Sequence, residues 1–577
     1  MNRTRVMDPV QRYQAVSAEK ATGSTYTPEV LAEFVARQIL KCANVDETKP
    51  LTILDPAVGD GQLVVSLLKE LSLRPNAGIE VHGFDTSSNA LDTALERIQA
   101  AFPNVSIVLH KRDFLGFAAE QKTGSLFSEV KQERFDLIIA NPPYVRTQIM
   151  GAQEAQRLSQ TFGLSGRVDL YQAFLLAMAD VLKPDGVAGM IVSNRFMTIK
   201  GGSALRIELS RRFDLRHVWD LGDTKIFEAA VLPAVIVAAG RKKVEVQRGA
   251  PLFSCIYETQ GTAERNVPNP IEALQHSGIV EIAGGRKFQV RHGVLDNTGG
   301  QDAVWRIATK QGDEWLERVT QHTWKQFGGI GKVRVGVKTC ADSIFIRRDW
   351  EKAPGAQKIE LLRPLTTHHS AARFRAVAPK HERQILYPHE LVDGRRQAIA
   401  LEKYPYSKAY LEAHRAKLEG RRYVIEAGRQ WYEIWVPQDP AAWSAPKLVF
   451  RDISERPTFW IDLDGTVVNG DCYWLVPNRA ADFDLLWLAL AVANSTFIEA
   501  FYDHCFNNKL YSGRRRFITQ YVEKFPLPDP EHVLSKEIIR RAKAIYDANH
   551  SDLTANLEGE LDMLVWDVFG LRKEVFG

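Results

Sequence analysis

The sequence predicts an α/β protein whose first half is a mostly parallel, doubly wound sheet and whose second half is a mixed α+β domain. Through residue 240, short and nearly uninterrupted apolar runs alternate with stretches of helical periodicity. This alternation is typical of a parallel sheet that is covered on both faces. Beyond about residue 245 the alternation fades, and aromatic residues, short strands and basic turns follow instead. More than one domain is therefore expected in this chain of 577 residues.

The elements of the first half follow one another in a regular order. Thr27 and Pro28 predict the start of a helix, as a capping hydroxyl and as a proline at the first helical position. Four predicted strands come next, and each is followed by one of the polar residues Asp55, Asp85, Asp113 and Asn141. A helix over 171–182 and strands at 187–192, 218–221 and 231–237 complete the pattern. Since ligands bind at the carboxyl ends of such strands, we expect the four polar side chains to share one rim.

Composition and charge exclude several classes of protein. The net charge is only +4, with a net −1 over residues 1–240 and a net +5 over the remainder. Five cysteines are scattered without a C-x-x-C pair, so we expect no metal site and a reducing, cytoplasmic location. The polar N-terminus lacks the apolar segment of a signal peptide. No apolar run approaches the ~18–20 residues of a membrane span, so we expect no membrane partner.

A glycine-rich turn after the first strand, DPAVGDG at 55–61, is the first candidate ligand site. Its candidate cofactor contacts are Asp55, Pro56, Ala57 and Gly59. Glycines let a ligand approach the backbone closely, and the sequence lacks the G-x-x-x-x-G-K-[ST] pattern of a phosphate loop. Asp85 follows the next strand and is placed to accept from ribose hydroxyls, and Asp113 is placed to accept from an adenine amino group. An ordinary tight turn, a helix cap and a surface aspartate are the competing interpretations.

The stretch DLIIANPPY at 136–144 carries the strongest chemical signal. Two prolines after a buried strand fix the backbone and remove amide donors, so carbonyl oxygens such as that of Pro142 stay free to accept. The Asn141 side chain supplies another acceptor. Two converging acceptors bind both hydrogens of an aromatic amino group and favour attack of its nitrogen on a methyl sulfonium. Tyr144 offers a flat face for a flipped base, a contact worth about 1–3 kcal/mol.

In the order of these motifs the sequence resembles the TaqI-like adenine-N6 DNA methyltransferases. The resemblance covers the whole first half, and it implies a Rossmann-like class I methyltransferase fold that uses S-adenosyl-L-methionine. Residues 24–28 resemble the family's N-terminal cofactor segment, which implies contacts from Tyr26 and Thr27. The turn at 55–61 resembles the family's loop around the methionine part of the cofactor. Asp85 and Asp113 stand where the family's ribose- and adenine-binding acids stand.

The same resemblance assigns roles around the target base. Residues 141–144 match the family's catalytic N-P-P-Y, whose second proline, here Pro143, also borders the cofactor. Residues 222–227 resemble the segment that supplies a second aromatic ring against the flipped base. This match implies that Phe227 is the stacking partner of Tyr144. Simple core packing is the competing interpretation for Phe227.

By the same resemblance, the second half contains a target-recognition domain for duplex DNA. We expect a cofactor-binding catalytic domain over 1–245, a DNA target-recognition domain over 246–524, and a linker with a helical segment over 525–577. The candidate DNA contacts are Lys332, Arg334, Lys338, Lys509, Arg514, Arg515 and Arg516. The first three alternate at strand spacing, and the last three lie in a turn suited to phosphates. A solvated charged face is the competing interpretation for each group.

Together these features predict a site-specific DNA methyltransferase that modifies the exocyclic N6 of adenine. It would most simply protect DNA from a partner restriction endonuclease that acts on the same site. Two alternatives stay open. The N-P-P-Y motif also serves methyl transfer to RNA and to a protein glutamine, and a non-catalytic DNA-binding specificity subunit would need only the second half. We find no convincing P-D…E-x-K nuclease arrangement, so the sequence favours an enzyme that only methylates.

Overall fold

The computed structural model describes most of the chain. The described residues are 27–46, 48–72, 78–124, 134–145, 150–164, 168–227, 232–241, 249–297, 304–352, 359–378, 382–506, 514–550 and 554–573. They form two compact units, the first running to Thr309 and the second beginning at Lys310.

The first unit is built on one sheet of twelve strands with helices between them. Its strands are β1 (Leu51–Asp55), β2 (Ile79–Asp85), β3 (Ser106–Lys111), β4 (Phe135–Ala140), β5 (Leu182–Ser193), β6 (Phe213–Asp220), β7 (Pro233–Gly240), β8 (Leu252–Glu258), β9 (Arg265–Val267), β10 (Gly278–Ile282), β11 (Lys287–Asp296) and β12 (Arg306–Ala308). Its α-helices are α1 (Glu29–Cys42), α2 (Gln62–Leu71), α3 (Ser88–Ala101), α4 (Phe114–Gly124), α5 (Ala152–Phe162), α6 (Leu170–Val181), α7 (Ser203–Arg212) and α8 (Pro270–Ala273). Short 3-10 helices cover Asn194–Met197 and Lys200–Gly202.

The strand order confirms the predicted doubly wound sheet. The order begins β3-β2-β1-β4-β5-β7-β6, and the first five of these strands are parallel. Strand β7 runs antiparallel between β5 and β6. Because β1, β2 and β4 point the same way, Asp55, Asp85 and Asn141 end up at the same edge of the sheet, as predicted.

Side chains alternate between two buried clusters on the two faces of this sheet. Leu54 and Ile138 belong to one cluster, together with residues of α4, α6 and α7. Ile53 and Ile139 belong to the other, together with residues of α1, α2 and α3. Consecutive strand residues point to opposite faces, so a strand buried on both faces must be apolar at nearly every position. This explains the uninterrupted apolar runs of the sequence.

The sheet continues past the domain boundary that we predicted at residue 245. Strand β8 pairs with β6 in parallel, with His217 opposite Leu252. Strand β11 then pairs with β8, and β10 and β12 pair with β11. The pairs of β11 with β8, β10 and β12 are antiparallel, whereas the pairs β6–β8 and β9–β10 are parallel. This mixed edge lacks the regular strand–helix alternation of the first strands, so the alternating pattern of the sequence ended before the sheet did.

The second unit combines small sheets with helices, a mixed α+β arrangement. Its strands are β13 (Lys325–Gln326), β14 (Gly331–Val335), β15 (Ile346–Arg347), β16 (Leu362–Thr366), β17 (Phe374–Arg375), β18 (Arg383–Leu386), β19 (His389–Val392), β20 (Arg395–Ala398), β21 (Lys447–Arg451), β22 (Ile453–Ser454), β23 (Phe459–Asp462), β24 (Val467–Val468), β25 (Cys472–Pro477), β26 (Arg515–Arg516) and β27 (Pro526–Leu527). Strands β14-β25-β21-β23-β17 form a five-stranded sheet and β15-β18-β16-β24 a four-stranded sheet.

Helices surround these sheets. The α-helices are α9 (Lys310–Gln321), α10 (Phe327–Ile330), α11 (Asp342–Phe345), α12 (Pro405–Ala413), α13 (Arg415–Glu419), α14 (Arg422–Glu426), α15 (Phe483–Ala493), α16 (Thr496–Cys505), α17 (Thr519–Val522), α18 (Val533–Ala548) and α19 (Thr554–Val568). The 3-10 helices are Trp350–Lys352, His368–Ser370, Leu401–Lys403, Pro440–Ser444 and Ala480–Asp482.

The C-terminal segment is part of this second unit rather than a separate piece. The two helices predicted for the tail are present as α18 and α19. The first residues of the predicted linker lie in a paired strand, since β27 pairs with β13, and both Phe525 and Leu527 are fully buried. Within the described residues no single helix is long and apolar enough to cross a membrane, although the bent pair Ala480–Ala493 and Thr496–Cys505 meets the length and composition criteria.

Candidate cofactor and catalytic site

One cavity of about 410 Å³ lies at the carboxyl ends of the central strands in the first unit. The predicted site residues that line it are Pro56, Ala57, Gly59, Asp85, Asp113, Asn141, Pro142, Pro143 and Tyr144. The other residues that line it are Asp60, Phe84, Thr86, Ser87, Asn89, Ala90, Thr93, Arg112, Phe114, Leu170 and Phe174. Residues that lie far apart in the sequence therefore converge on a single concave site.

The glycine-rich turn between β1 and α2 forms part of the cavity wall. The amide of Gly59 donates to Oδ2 of Asp85 at 3.3 Å, and Oδ1 of Asp85 accepts from the amide of Ser87 at 2.8 Å. Gly61 has φ of +80°, and a Cβ at this position would lie 3.2 Å from Cα of Ala94. Only glycine adopts this conformation without strain, so the turn needs glycine where α2 begins against α3.

Asp113 and its neighbours form another part of the cavity wall. The Asp113 carboxylate accepts from the amides of Leu115 at 3.2 Å and Gly116 at 3.0 Å, so it also caps α4. Phe114 follows directly and packs against Phe174 of α6, with ring centroids 5.7 Å apart. Both aromatic rings line the cavity, and our sequence reasoning missed them. Phe114 was detectable from its position beside Asp113, whereas the apolar pattern of α6 gave Phe174 no distinguishing signal.

Asp55, another predicted cofactor contact, is not among the residues that line the cavity, although the next two residues, Pro56 and Ala57, are. Its side chain is fully buried, and Oδ1 accepts from the amide of Ala57 at 3.0 Å. Its Oδ2 is buried and has no hydrogen-bond partner among the described residues. Burial raises the pKa of Asp55 to about 7, and the nearby charges of Asp85 and Asp60 contribute in the same direction. A carboxylate in this position favours a cationic ligand nearby.

Asn141 is held by hydroxyl groups on both polar atoms of its side-chain amide. Its Nδ2 donates to Oγ1 of Thr27 at 3.0 Å, and its Oδ1 accepts from the hydroxyl of Tyr144 at 3.1 Å. Thr27 was predicted as the helix cap, but Pro28 occupies the N-cap position of α1 without a side-chain cap bond. The Thr27 hydroxyl instead fixes the orientation of the amide. An amide oxygen has two lone pairs, so it can accept more than one hydrogen bond.

Tyr144 packs with its ring beside that of Tyr171 in α6, at 6.2 Å between centroids. Burial raises the pKa of Tyr144 far above its ordinary value, so its hydroxyl stays protonated and remains a donor. The ring also packs against the buried cluster that contains Tyr171, while part of it remains exposed at the cavity. Tyr144 therefore offers both a flat face and a fixed hydroxyl.

Phe227 is not brought to this cavity. It is 6% exposed and belongs to the buried cluster on the other face of the sheet from Tyr144. Core packing, the competing interpretation from the sequence, describes its position in this structure. The predicted cofactor contact Tyr26 lies outside the described residues.

The loop before Phe227 is braced by a buried carboxylate that the sequence analysis did not single out. Asp220 accepts from the hydroxyl of Tyr257 at 2.6 Å, from Nδ2 of Asn194 at 2.9 Å and from the amide of Gly222 at 3.1 Å. Burial raises the pKa of Asp220 to about 6. These partners come from β8, from the end of β5 and from the turn itself, so long-range topology assembles them.

In the second unit, the first group of predicted DNA contacts lies on the sheet edge. Lys332 and Lys338 are exposed, and the guanidinium of Arg334 lies 5.3 Å from the ring centroid of Trp474. Lys332 and Arg334 lie two residues apart in β14, so they share one face as predicted. Lys509 lies outside the described residues.

The second group, three consecutive arginines, is mostly committed to internal carboxylates. Arg515 is 9% exposed and forms ion pairs with Asp503 at 2.8 Å and Glu499 at 3.4 Å. Arg516 pairs with Asp452 at 3.0 Å. The side chain of Arg514 is 56% exposed. The predicted phosphate-binding role of Arg515 is thus not supported, because its charge is already neutralised inside the unit.

Within the part of the chain that the structure describes, no group of three or more His, Cys, Asp or Glu side chains is placed to hold a metal ion.

Comparison with known proteins extends these observations. The Eco57I restriction-modification methylase family matches residues 66–227, and the TaqI-like C-terminal specificity domain matches residues 390–527. A release factor glutamine methyltransferase of Enterococcus faecalis is 31% identical over 151 residues, which cover 25% of this chain and 48% of that protein. The type IIL restriction-modification enzyme MmeI, solved in complex with DNA, has a similar fold, with a TM-score of 0.56 and 16% identity over 94% of this chain and 72% of that chain.

One relative is similar along nearly the whole sequence. The type II methyltransferase M.BanIII of Aneurinibacillus aneurinilyticus is 37% identical over 571 residues, which cover 96% of this chain and 98% of that protein. This similarity spans both the segment that contains the N-P-P-Y turn and the second unit. The chain belongs to the type II restriction-modification DNA methyltransferases, with an Eco57I-like methylase segment and a TaqI-like C-terminal specificity domain.

Proposed function

We propose that this protein transfers a methyl group from S-adenosyl-L-methionine to the exocyclic N6 of an adenine that is flipped out of duplex DNA. We further propose that it protects DNA from a partner restriction endonuclease, and that the second unit selects the target sequence. The observation that carries the proposal is the convergence of Asn141, Pro142 and Tyr144 with Asp85 and Asp113 in one cavity. A nucleophile-binding turn and a cofactor-binding wall are what such a transfer requires.

The cavity residues fit S-adenosyl-L-methionine. The cofactor carries a cationic sulfonium and an ammonium group, and Asp55, at the start of the glycine-rich turn, has a buried Oδ2 without a hydrogen-bond partner among the described residues. Asp85 and Asp113 would bind the adenosine part through its hydroxyl and amino groups. The cofactor supplies an electrophilic methyl group when bound.

The protein's own residues would prepare the target nitrogen. Oδ1 of Asn141 and the carbonyl oxygen of Pro142 would accept the two hydrogens of the adenine amino group. Accepting both hydrogens weakens the conjugation of the nitrogen lone pair with the ring, so the lone pair becomes available for attack. Tyr144 would stack on the base, and this contact offsets part of the few kcal/mol needed to flip it. A strongly basic residue is not required, because the amine proton becomes acidic only after methylation.

The alternative substrates are less well supported. The similarity to a release factor glutamine methyltransferase is confined to a quarter of this chain, whereas that to a type II methyltransferase covers nearly all of it. A non-catalytic specificity subunit would have no need for an intact Asn141–Tyr144 turn and a buried Asp55. The second unit is what a DNA-modifying enzyme needs and a glutamine methyltransferase does not.

The substitution Asn141→Ala tests the proposal. It should lower methyl transfer to DNA by at least about 100-fold, since two converging acceptors become one. Cofactor affinity, measured by calorimetry, should change little, because Asn141 is proposed to hold the target amine. Purified protein should be offered duplex DNA, RNA and release factor in parallel with labelled cofactor. Methylation of release factor or RNA in place of DNA would refute the proposal, as would wild-type activity in the alanine variant.

A further inference from the structure

A small hairpin in the second unit stands apart from the other sheets. Strands β19 and β20 pair only with each other among the described residues, with His389 opposite Ala398 and Val392 opposite Arg395. They are joined by Asp393 and Gly394, whose φ values are +50° and +73°. Two successive positive φ values make a tight two-residue turn whose twist matches the paired strands. The hairpin is therefore a defined structure and not an irregular loop.

The hairpin is anchored at two points, and residues beside its turn are exposed. His389 is fully buried and its Nε2 accepts from the amide of Ile434 at 3.0 Å. Arg396 donates from Nη1 to the carbonyl oxygen of Gln438 at 3.0 Å. Toward the tip, Leu391 is 44% exposed and Val392 39% exposed. A two-stranded hairpin is marginally stable by itself in water, so this anchoring is what presents the tip in a fixed orientation.

The two faces of the hairpin differ in chemistry. Residues directly opposite each other in a strand pair share a face. His389, Leu391, Arg396 and Ala398 form the anchored face. The other face, here called the reading face, consists of Glu390, Val392, Arg395 and Gln397. Of these side chains, Glu390 is half-buried and the other three are exposed.

The reading face is chemically available. Within the described part of the chain, the side chains of Glu390, Arg395 and Gln397 form no hydrogen bond or ion pair. Guanidinium, amide and carboxylate groups are the side-chain types that pair with guanine, adenine and cytosine edges, and an apolar side chain contacts the thymine methyl group. The reading face therefore contains one side chain of each type that contacts a base in the major groove.

The dimensions of the hairpin suit duplex DNA. Four residues per strand at about 3.3 Å each span roughly 13 Å. The major groove is ~12 Å wide and ~8.5 Å deep, and it admits a two-stranded β-ribbon. Arg395, which lies directly beside the turn, brings positive charge to the exposed end of the hairpin, where it would be attracted by the phosphates that border the groove.

We propose that the β19–β20 hairpin enters the major groove of the target duplex and that Arg395 and Gln397 read base edges there. This inference rests on the proposed function, because it takes duplex DNA as the substrate. It assigns part of the sequence specificity to residues that neither the basic strand β14 nor the arginine turn contains.

The test compares Arg395→Ala, Gln397→Ala and Arg395→Lys with the control Arg540→Ala. Arg540 is an exposed arginine of α18 that pairs with Glu537. Methylation rates are measured on the duplex methylated by wild-type protein and on duplexes with single base-pair changes. Each alanine variant should lose about 10- to 100-fold on the target duplex and discriminate less at one base pair, since a bidentate contact contributes this much. Cofactor affinity and the control should stay at the wild-type level.

The lysine variant separates base reading from general attraction to phosphates. Lysine keeps the charge but lacks the planar fork of arginine, so Arg395→Lys should remain defective in discrimination. Full rescue by lysine, or alanine variants with wild-type rates on every duplex, would overturn the inference and leave the proposed function intact. Failure of the wild-type protein to methylate any duplex would instead overturn the proposed function, and the inference with it.

Discussion

Both polar atoms of the Asn141 amide are held by neighbouring hydroxyl groups, from Thr27 on one side and Tyr144 on the other. This arrangement sets the amide oxygen on the side of Tyr144, which lines the cavity. Orientation matters for an acceptor that must meet an amine hydrogen, because a flipped amide would present donors instead. Thr27 is therefore a positioning residue for Asn141, in addition to its predicted contact with the cofactor.

Replacing Thr27 by valine tests this role. Valine keeps the shape but removes the acceptor for Nδ2 of Asn141, so we expect kcat to fall about 10-fold, the equivalent of one lost hydrogen bond. The KM for DNA and the affinity for the cofactor should change little, and Thr27→Ser should restore kcat. A parallel loss of cofactor affinity in the valine variant would show that Thr27 acts on the cofactor instead.

Asp55 predicts a pH dependence of stability. Its pKa is about 7 in the folded protein, against about 3.9 in an unfolded chain. The folded state thus binds more protons between about pH 4 and 7, and the contribution of Asp55 to stability falls as pH rises through this window. Asp55→Asn removes this loss. The difference in unfolding temperature, variant minus wild type, should therefore be larger at pH 8 than at pH 5. A difference that does not vary with pH would contradict the assigned pKa.

The raised pKa of Asp55 also predicts that a proton is released when the cofactor binds. A cationic ligand near Asp55 favours its ionised form, so binding at pH 6 should release a proton from wild-type protein and none from Asp55→Asn. Calorimetry in two buffers of different ionisation enthalpy measures this directly. Equal proton release by both proteins would exclude Asp55 as its source.

At the scale of elements, the short strand β26 consists of two arginines that form ion pairs with neighbouring elements of the same unit. Arg515 lies opposite Ser454 of β22 and its guanidinium pairs with Asp503 of α16. Arg516 pairs with Asp452, which directly precedes β22. These ion pairs join β26 to α16 and to the residue before β22, so both arginines connect elements of the unit, with Arg515 buried and Arg516 partly exposed.

Asp503→Asn distinguishes the two roles of Arg515. If the ion pair is structural, the free energy of unfolding should fall by about 1–3 kcal/mol, the range for a hydrogen bond to a charged group. The control Asp484→Asn breaks an exposed pair with Lys543 and should cost less than about 1 kcal/mol. Denaturant unfolding measures both. Unchanged stability together with tighter DNA binding would instead indicate that Arg515 contacts DNA.

The elements also show what sequence patterns can and cannot predict. Asp85 and Asn141 were placed at one rim because strand direction alone determines where parallel strands end. The bond from Asn141 to Thr27 spans 114 residues, and that from Arg516 to Asp452 spans 64. No local periodicity encodes such distant partners. The choice between base stacking and core packing for Phe227 could not be made from the sequence for the same reason, since it depends on the packing of the opposite face.

At the scale of the whole molecule, the two compact units divide the required tasks. The first contains the cavity and every described residue proposed for chemistry. The second contains the segment that matches a specificity domain, and it carries the hairpin and the exposed lysines of the sheet edge. A modest net charge of +4 suits this division, because specificity would then rest on a few placed side chains rather than on a large basic surface.

The most direct test of the central claim is to express the protein in a host that lacks DNA methylation and to map modified bases across the genome. The proposed function predicts N6-methyladenine at one short sequence motif, and no such mark when Asn141→Ala is expressed at the same level. Methylated cytosine, or an unmodified genome in cells that contain folded wild-type protein, would contradict it.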